Sequence, residues 1–189
     1  MTELTRRFEE ALVYATRLHN QQKRKASQIP YISHLLSVAA LILEDGGDED
    51  QAIAGLLHDA VEDQGGRRTL EEVRLRFGER VAFIVESCSD AFDIPKPPWH
   101  ERKENYLMHL RTAPPEVRRV ALADKVHNAR SILVSLRKEG EKVWSQFNGG
   151  KDGTLWYYQS LVQVFRETGN DFMTFELERI LTEINSLIE

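Results

Sequence analysis

The segment His58-Asp59-Ala60-Val61-Glu62-Asp63 gathers one imidazole and three carboxylates within six residues, with no Lys or Arg until Arg67. At about 100° per residue on a helix, His58, Asp59, Glu62 and Asp63 share an arc of roughly 140°. Ile53, Leu56, Leu57, Ala60 and Val61 take the remaining face. One edge of such a helix packs, and the other concentrates negative charge. Carboxylates this close raise one another's pKa unless a cation sits among them. The edge is therefore either a solvated acidic face or part of a divalent-metal site. A metal site needs further ligands from elsewhere, and His34 and Asp124 are the candidates. Taken singly, His34 is equally a packed histidine, and Asp124 equally a partner for a neighbouring cation.

The elements that must position these groups read as helices throughout, because apolar residues recur at helical spacing and alternating β-branched runs are missing. Leu4, Phe8, Leu12 and Ala15 mark a first amphipathic helix, followed by a basic loop at Lys23-Arg24-Lys25. Pro30 suits the first position of a second helix carrying His34, Val38, Leu41 and Ile42, closed by Gly46-Gly47. A third helix is predicted over about 50–62. Thr69 with Glu72 forms a capping box for a short helix ending near Gly78. Another helix carries Val81, Ile84, Val85 and Cys88, and the prolines at 95, 97 and 98 end it. Trp99, Lys103, Tyr106 and Leu110 open the next, broken by Pro114-Pro115. The longest spans about 116–139 and bears Asp124. Gly149, Gly150 and Gly153 read as a loop before a helix over about 155–168. A final amphipathic helix, about 171–188, shows Phe172, Phe175, Leu177, Ile180, Leu181 and Ile184. The predicted architecture is all-α: a single irregular multi-helix domain over residues 1–189, with seven to nine helices and no internal repeat.

Composition narrows the functions available. The 189 residues carry 25 Lys+Arg against 30 Asp+Glu, a net charge of −5, which lacks the basic footprint of non-specific nucleic-acid binding. A hydrophobic fraction of 41% with 29% charged residues is ordinary for a soluble globular domain. Cys88 is the only cysteine, so neither an intramolecular disulfide nor a Cys-based zinc site can form. The N-terminus has charges where a signal peptide would be apolar, and the uncharged run 26–43 contains Ser, Gln, Pro and His. The expectation is a cytoplasmic protein without membrane or nucleic-acid partners.

The order His34, His58-Asp59, Asp124 resembles the H…HD…D signature of the HD superfamily of metal-dependent phosphohydrolases. The flanks sharpen the resemblance: Arg24-Lys25, Pro30-Tyr31-Ile32-Ser33-His34, His58 through Asp63, and Leu-Ala-Asp-Lys-Val-His-Asn-Ala-Arg at 122–130. These are similar to the hydrolase domain of RelA/SpoT proteins and, in length, to stand-alone small alarmone hydrolases. The similarity covers about residues 5–168. It implies His34, His58, Asp59 and Asp124 as ligands of one Mn²⁺ per chain, and Glu62 and Asp63 as the groups acting on the attacking water. It also implies Arg24, Lys25, Lys125 and Asn128 as contacts to a nucleotide. Two imidazoles and two carboxylates form a mixed N/O site that suits such a metal. Glu62 is alternatively a group that orients a histidine ligand.

Other residues get plainer readings. His127, three residues from Asp124, has no ligand role in the family pattern and reads as structural; Arg130, Lys151 and Tyr157 are weaker substrate candidates. Trp156-Tyr157-Tyr158 reads as core. Gln21, Ala26 and Leu35 stand where relatives usually carry Gly, Gly and Pro, departures that bear on loop geometry and base preference and remove no ligand. The implied activity is hydrolysis of guanosine 3′,5′-bis(diphosphate) to GDP or GTP and pyrophosphate, with no room for a synthetase. The alternatives are an HD phosphohydrolase acting on an adenosine alarmone, a nucleoside monophosphate or NADPH, and a non-catalytic nucleotide sensor. The last helix either caps its own core or pairs with a second copy, which leaves a homo-oligomer open.

Overall fold

A computed structural model describes residues 2–24, 28–89, 97–169 and 171–188. Its elements run α1 (Arg6–Leu18), α2 (Ile32–Glu44), α3 (Glu49–Leu57), α4 (Ala60–Asp63), α5 (Arg67–Phe77), α6 (Glu79–Cys88), α7 (Trp99–Thr112), α8 (Pro115–Glu139), a 3-10 segment (Gly140–Gln146), α9 (Gly150–Thr168) and α10 (Asp171–Ser186). The all-α reading holds. Among the described residues the extended pairing is confined to one isolated bridge between Lys23 and Pro30. No helix among them is long and apolar enough to cross a membrane.

The centre of the molecule is α3, in which every residue from Gln51 to Leu57 is buried. From Gln51 onward the helix is buried on every side, which places it inside the core rather than at its edge. It packs against α1, α2, α6 and α8. Its start is fixed by Asp48, whose carboxylate accepts the Gln51 N–H at 3.0 Å. Its contact with α2 depends on Gly55, where a Cβ would lie 2.5 Å from Ile42 Cδ1. The 25-residue α8 begins with Pro115 at its first position and crosses α2, α3 and α6. α10 closes the core from the other side against α8 and α9, burying Met173, Leu177, Ile180, Leu181 and Ile184. Phe172 and Phe175, assigned above to its apolar face, are exposed, and Met173 takes the inward position.

Several local expectations are corrected. The predicted 50–62 helix is interrupted at His58 and Asp59, which lie between α3 and α4. Thr69 does not cap a helix: α5 starts two residues earlier, and the buried Thr69 hydroxyl donates to the Gln64 carbonyl at 2.7 Å. Pro30 is not the first residue of α2, which starts at Ile32. A turn precedes it, in which His34 N–H donates to the Tyr31 carbonyl. The glycines near 150 are not a free loop. α9 begins at Gly150, and Gly149 and Gly153 lie beneath the Trp99 indole, where a Cβ at 149 would sit 2.6 Å from the ring.

Candidate metal centre

Four of the sequence-selected residues meet at one point, delivered by three stretches of chain. α2 brings His34, the break between α3 and α4 brings His58 and Asp59, and the middle of α8 brings Asp124. His34 Nε2 lies 3.5 Å from Asp59 Oδ2 and 3.2 Å from Asp124 Oδ1. His58 Nε2 lies 3.1 Å and 3.6 Å from the same two oxygens. One ligand atom from each of His34, His58 and Asp59 falls within 4.8 Å of the others, a spacing that a single ion can bridge. Both imidazole Nε2 atoms are buried and lack a hydrogen-bond partner. A buried polar atom without a partner is costly, and two aimed at the same pair of carboxylates mark a place shaped for a cation.

The opposite edges of the imidazoles are held. His58 Nδ1–H donates to the Gly55 carbonyl at 2.9 Å, which turns Nε2 toward the carboxylates. Asp124 accepts from Asn128 on Oδ1 and from Lys125 Nζ on Oδ2, the latter at 2.5 Å. The Tyr31 hydroxyl donates to Asp59 Oδ2 at 2.6 Å. The His19 ring stacks on Tyr31, with centroids 5.3 Å apart.

Electrostatics follow from this arrangement. Burial would lower the pKa of His58, but Asp59 and Asp124 hold it well above the usual histidine range. Burial would raise both carboxyls. The imidazoles hold Asp59 well below its ordinary value, and Lys125 together with the imidazoles does the same for Asp124. Burial, then the charge of Asp59, pushes the Tyr31 phenol upward. Both carboxylates therefore stay ionised beside two buried nitrogens.

The centre opens on a cavity of about 940 Å³. Arg24, Glu62, Lys125, Asn128 and Arg130 line it together with His58, Asp59 and Asp124. Arg24 donates to Asn128 Oδ1 at 2.6 Å, tying the loop after α1 to α8 across the cavity. Asp63 is not among the lining residues. It is exposed, and its Oδ2 accepts from Gln22 at 2.7 Å; Glu62 and Asp63 are neighbours on α4 about 100° apart, which directs one to the cavity and the other to Gln22. Lys151 also lies outside the lining, paired with Glu141 at 2.6 Å. Lys25 falls outside the described residues. Tyr157 and Tyr158 are buried, as the core reading expects, yet both line the cavity, with Lys103 Nζ 5.0 Å from the Tyr157 ring. Trp99, Arg102, Lys103, Tyr106 and Phe147 also line it, and sequence reasoning assigned them no site role. Their distance along the chain from any motif hid them. Tyr31 was detectable, being three residues before His34.

A family match decides where this geometry belongs: residues 11–155 match the HD domain family. The chain is an HD domain protein. Over 126 residues it is 40% identical to guanosine-3′,5′-bis(diphosphate) 3′-pyrophosphohydrolase MESH1 of Xenopus tropicalis, covering 65% of this chain and 68% of that one. The human protein of the same name is 39% identical over the same shares. A guanosine-3′,5′-bis(diphosphate) 3′-pyrophosphohydrolase of Aquifex aeolicus is 36% identical over 72% of this chain and 19% of its own length. Among solved structures, a metazoan ortholog of SpoT described as hydrolysing ppGpp superposes with a TM-score of 0.81 at 27% identity, covering 97% of this HD domain chain and 98% of the other. A Listeria monocytogenes protein superposes with a TM-score of 0.70 at 33% identity, covering 81% and 99%.

Proposed function

We propose that this HD domain protein is a Mn²⁺-dependent 3′-pyrophosphohydrolase of guanosine 3′,5′-bis(diphosphate) and its 5′-triphosphate analogue, working in the cytoplasm. The observation that carries the reading is the pair of buried, unpartnered Nε2 atoms of His34 and His58 facing Asp59 and Asp124 at the floor of a cation-lined cavity. The named activity of the MESH1 relatives supplies the substrate. In this reading His34, His58, Asp59 and Asp124 hold the ion. When bound, it supplies Lewis-acid polarisation of a phosphoryl oxygen and makes a water more acidic. Mixed nitrogen and oxygen donors suit Mn²⁺ or Fe²⁺ alike, and the choice of Mn²⁺ comes from the family resemblance.

The protein's own groups do the rest. Water attacks the 3′-phosphorus, the bond from that phosphorus to O3′ breaks, and pyrophosphate leaves as O3′ gains a proton. Glu62, which lines the cavity one turn beyond His58, accepts the proton from the attacking water. Asp63 is the second acid of the proposal, oriented by Gln22. Arg24, Lys25, Lys125 and Asn128 hold the nucleotide; the guanidinium of Arg24 gives a phosphate oxygens paired, charge-assisted donors. Lys125 touches Asp124 as well, so one ammonium balances a metal-ligating carboxylate beside the substrate.

Assaying a nucleotide panel at equal concentration tests the assignment. Guanosine 3′,5′-bis(diphosphate) is expected to yield GDP and pyrophosphate in equal amounts, with activity lost on chelation and restored by Mn²⁺. Orthophosphate as the product, faster turnover of nucleotides lacking a 3′-diphosphate, or indifference to the chelator would each overturn it.

A further inference from the structure

His34 and His58 are the two imidazoles of the centre, yet their outer nitrogens are held differently. His58 Nδ1–H meets a backbone carbonyl, that of Gly55. His34 Nδ1 meets another imidazole: His127 Nδ1, 2.7 Å away, with ring centroids 4.8 Å apart. One proton serves the two facing nitrogens, so one ring donates and the other accepts. His34 Nε2 is buried among carboxylate oxygens with no donor or acceptor of its own. A ring that offers its Nε2 lone pair to a cation carries its proton on Nδ1, so His34 donates and His127 accepts.

We propose that His127, through its Nδ1 lone pair, is a positioning residue for the metal centre that fixes the tautomer and ring orientation of His34. The proposal rests on the metal-centre reading above and adds a residue to it. The fold makes the arrangement rigid. His127 lies one turn beyond Asp124 on α8, so the helix that delivers one ligand also orients another on α2. The backbone of α8 at this turn is pinned between Ala123, Val126 and Ala129, all fully buried. The His127 backbone carbonyl accepts from the Ser131 hydroxyl at 3.0 Å, one turn further along. Partners that hold the outer nitrogen of a ligating histidine are commonly worth roughly 10–100-fold in metal affinity. Asn places its side-chain oxygen near where a histidine carries Nδ1, so His127→Asn keeps an acceptor, whereas His127→Phe keeps a flat ring and removes it.

Two measurements test this. Calorimetric titration of metal-stripped protein with Mn²⁺ alone is expected to show about 10–100-fold weaker binding for His127→Phe, and recovery to within about threefold for His127→Asn. Ring-nitrogen NMR of the wild type loaded with Zn²⁺, a diamagnetic ion that suits imidazole donors, is expected to show His34 protonated on Nδ1 and hydrogen-bonded through it to His127, a hydrogen bond absent from His127→Phe. Equal loss in the Phe and Asn variants, or Mn²⁺ binding by His127→Phe indistinguishable from wild type, would overturn the positioning role. A His34 proton found on Nε2 in the Zn²⁺-loaded wild type would overturn it even if neither variant folded. Wild-type protein that bound no Mn²⁺ would overturn both this proposal and the metal-centre reading; an unaffected His127→Phe would overturn this one alone.

Discussion

Two polar clusters sit on α8 little more than one turn apart, and they are finished in opposite ways. At Arg119 the guanidinium donates to Asp45 Oδ2 and to Gln51 Oε1, each at 2.9 Å, tying α8 to the end of α2 and the start of α3. At Asp124 the carboxylate faces His34 and His58, whose Nε2 atoms have no hydrogen-bond partner. The first cluster closes upon itself, its guanidinium matched to two acceptors. The second stays open, and its open atoms converge from three chain segments. Each cluster includes a buried polar side chain, Gln51 in one and Asp124 in the other, so burial of such a group alone does not separate structure from function; the state of satisfaction does.

This contrast breaks or holds under mutation, and the largest effect lies in the open cluster. Glu62→Gln is expected to lower turnover by about 10²–10⁴-fold while Mn²⁺ content stays near wild type, measured by steady-state pyrophosphate release and metal analysis. Asp63→Asn carries the same expectation in the proposal. If either change stripped the metal instead, that acid would belong with the ligands. Next in size, saturation of the open cluster with Mn²⁺ at a hundredfold over its dissociation constant is expected to stabilise the fold by about 2.7 kcal/mol, read as a rise in melting temperature. His58→Ala is expected to remove that rise. In the closed cluster, Arg119→Met removes the ion pair to Asp45 and the hydrogen bond to Gln51 and is expected to cost about 1–3 kcal/mol in chemical denaturation. Its Mn²⁺ affinity is expected to be unchanged, and a change would show that the two clusters are coupled.

The smallest effect sits at the surface edge of the closed region. Burial would raise the Asp48 carboxyl, but the Gln51 N–H and Arg80 hold it below its ordinary value of 3.8. Its contribution is therefore complete above that value and lost as pH falls through the lower folded-state pKa. Asp48→Ala is expected to cost about 0.5–2 kcal/mol near neutral pH. The difference from wild type is expected to vanish in acid, as denaturation profiles at several pH values would reveal.

Much of this was legible in the chain itself, for physical reasons that differ by element. Helices such as α1, α2 and α8 announce themselves because their buried faces repeat at 3.6 residues and because Pro115 and Gly140 stand at the ends of α8. The four metal-facing residues were readable through their order and flanks. What periodicity could not show was the interruption at His58-Asp59, since a helix and a helix with a break have almost the same pattern. Beyond it, Asp63 meets Gln22 while Glu62 lines the cavity. Thr69 had capping-box spacing with Glu72, yet Gln64 offered its hydroxyl a tertiary partner and the helix began earlier. The far wall, with Trp99, Lys103 and Tyr106 on α7, follows from how α7 packs on α9, a long-range fact that no local spacing encodes. His127 looked structural because nothing in the sequence records that α2 and α8 bring it to His34.

The central claim is that one divalent ion sits where the three chain segments meet. Anomalous diffraction from crystals grown with Mn²⁺, recorded on both sides of the manganese absorption edge, tests it most directly. The account predicts one strong peak per chain, coordinated by His34 Nε2, His58 Nε2 and carboxylate oxygens of Asp59 and Asp124. A peak elsewhere in the chain, or none at saturating Mn²⁺, would contradict it.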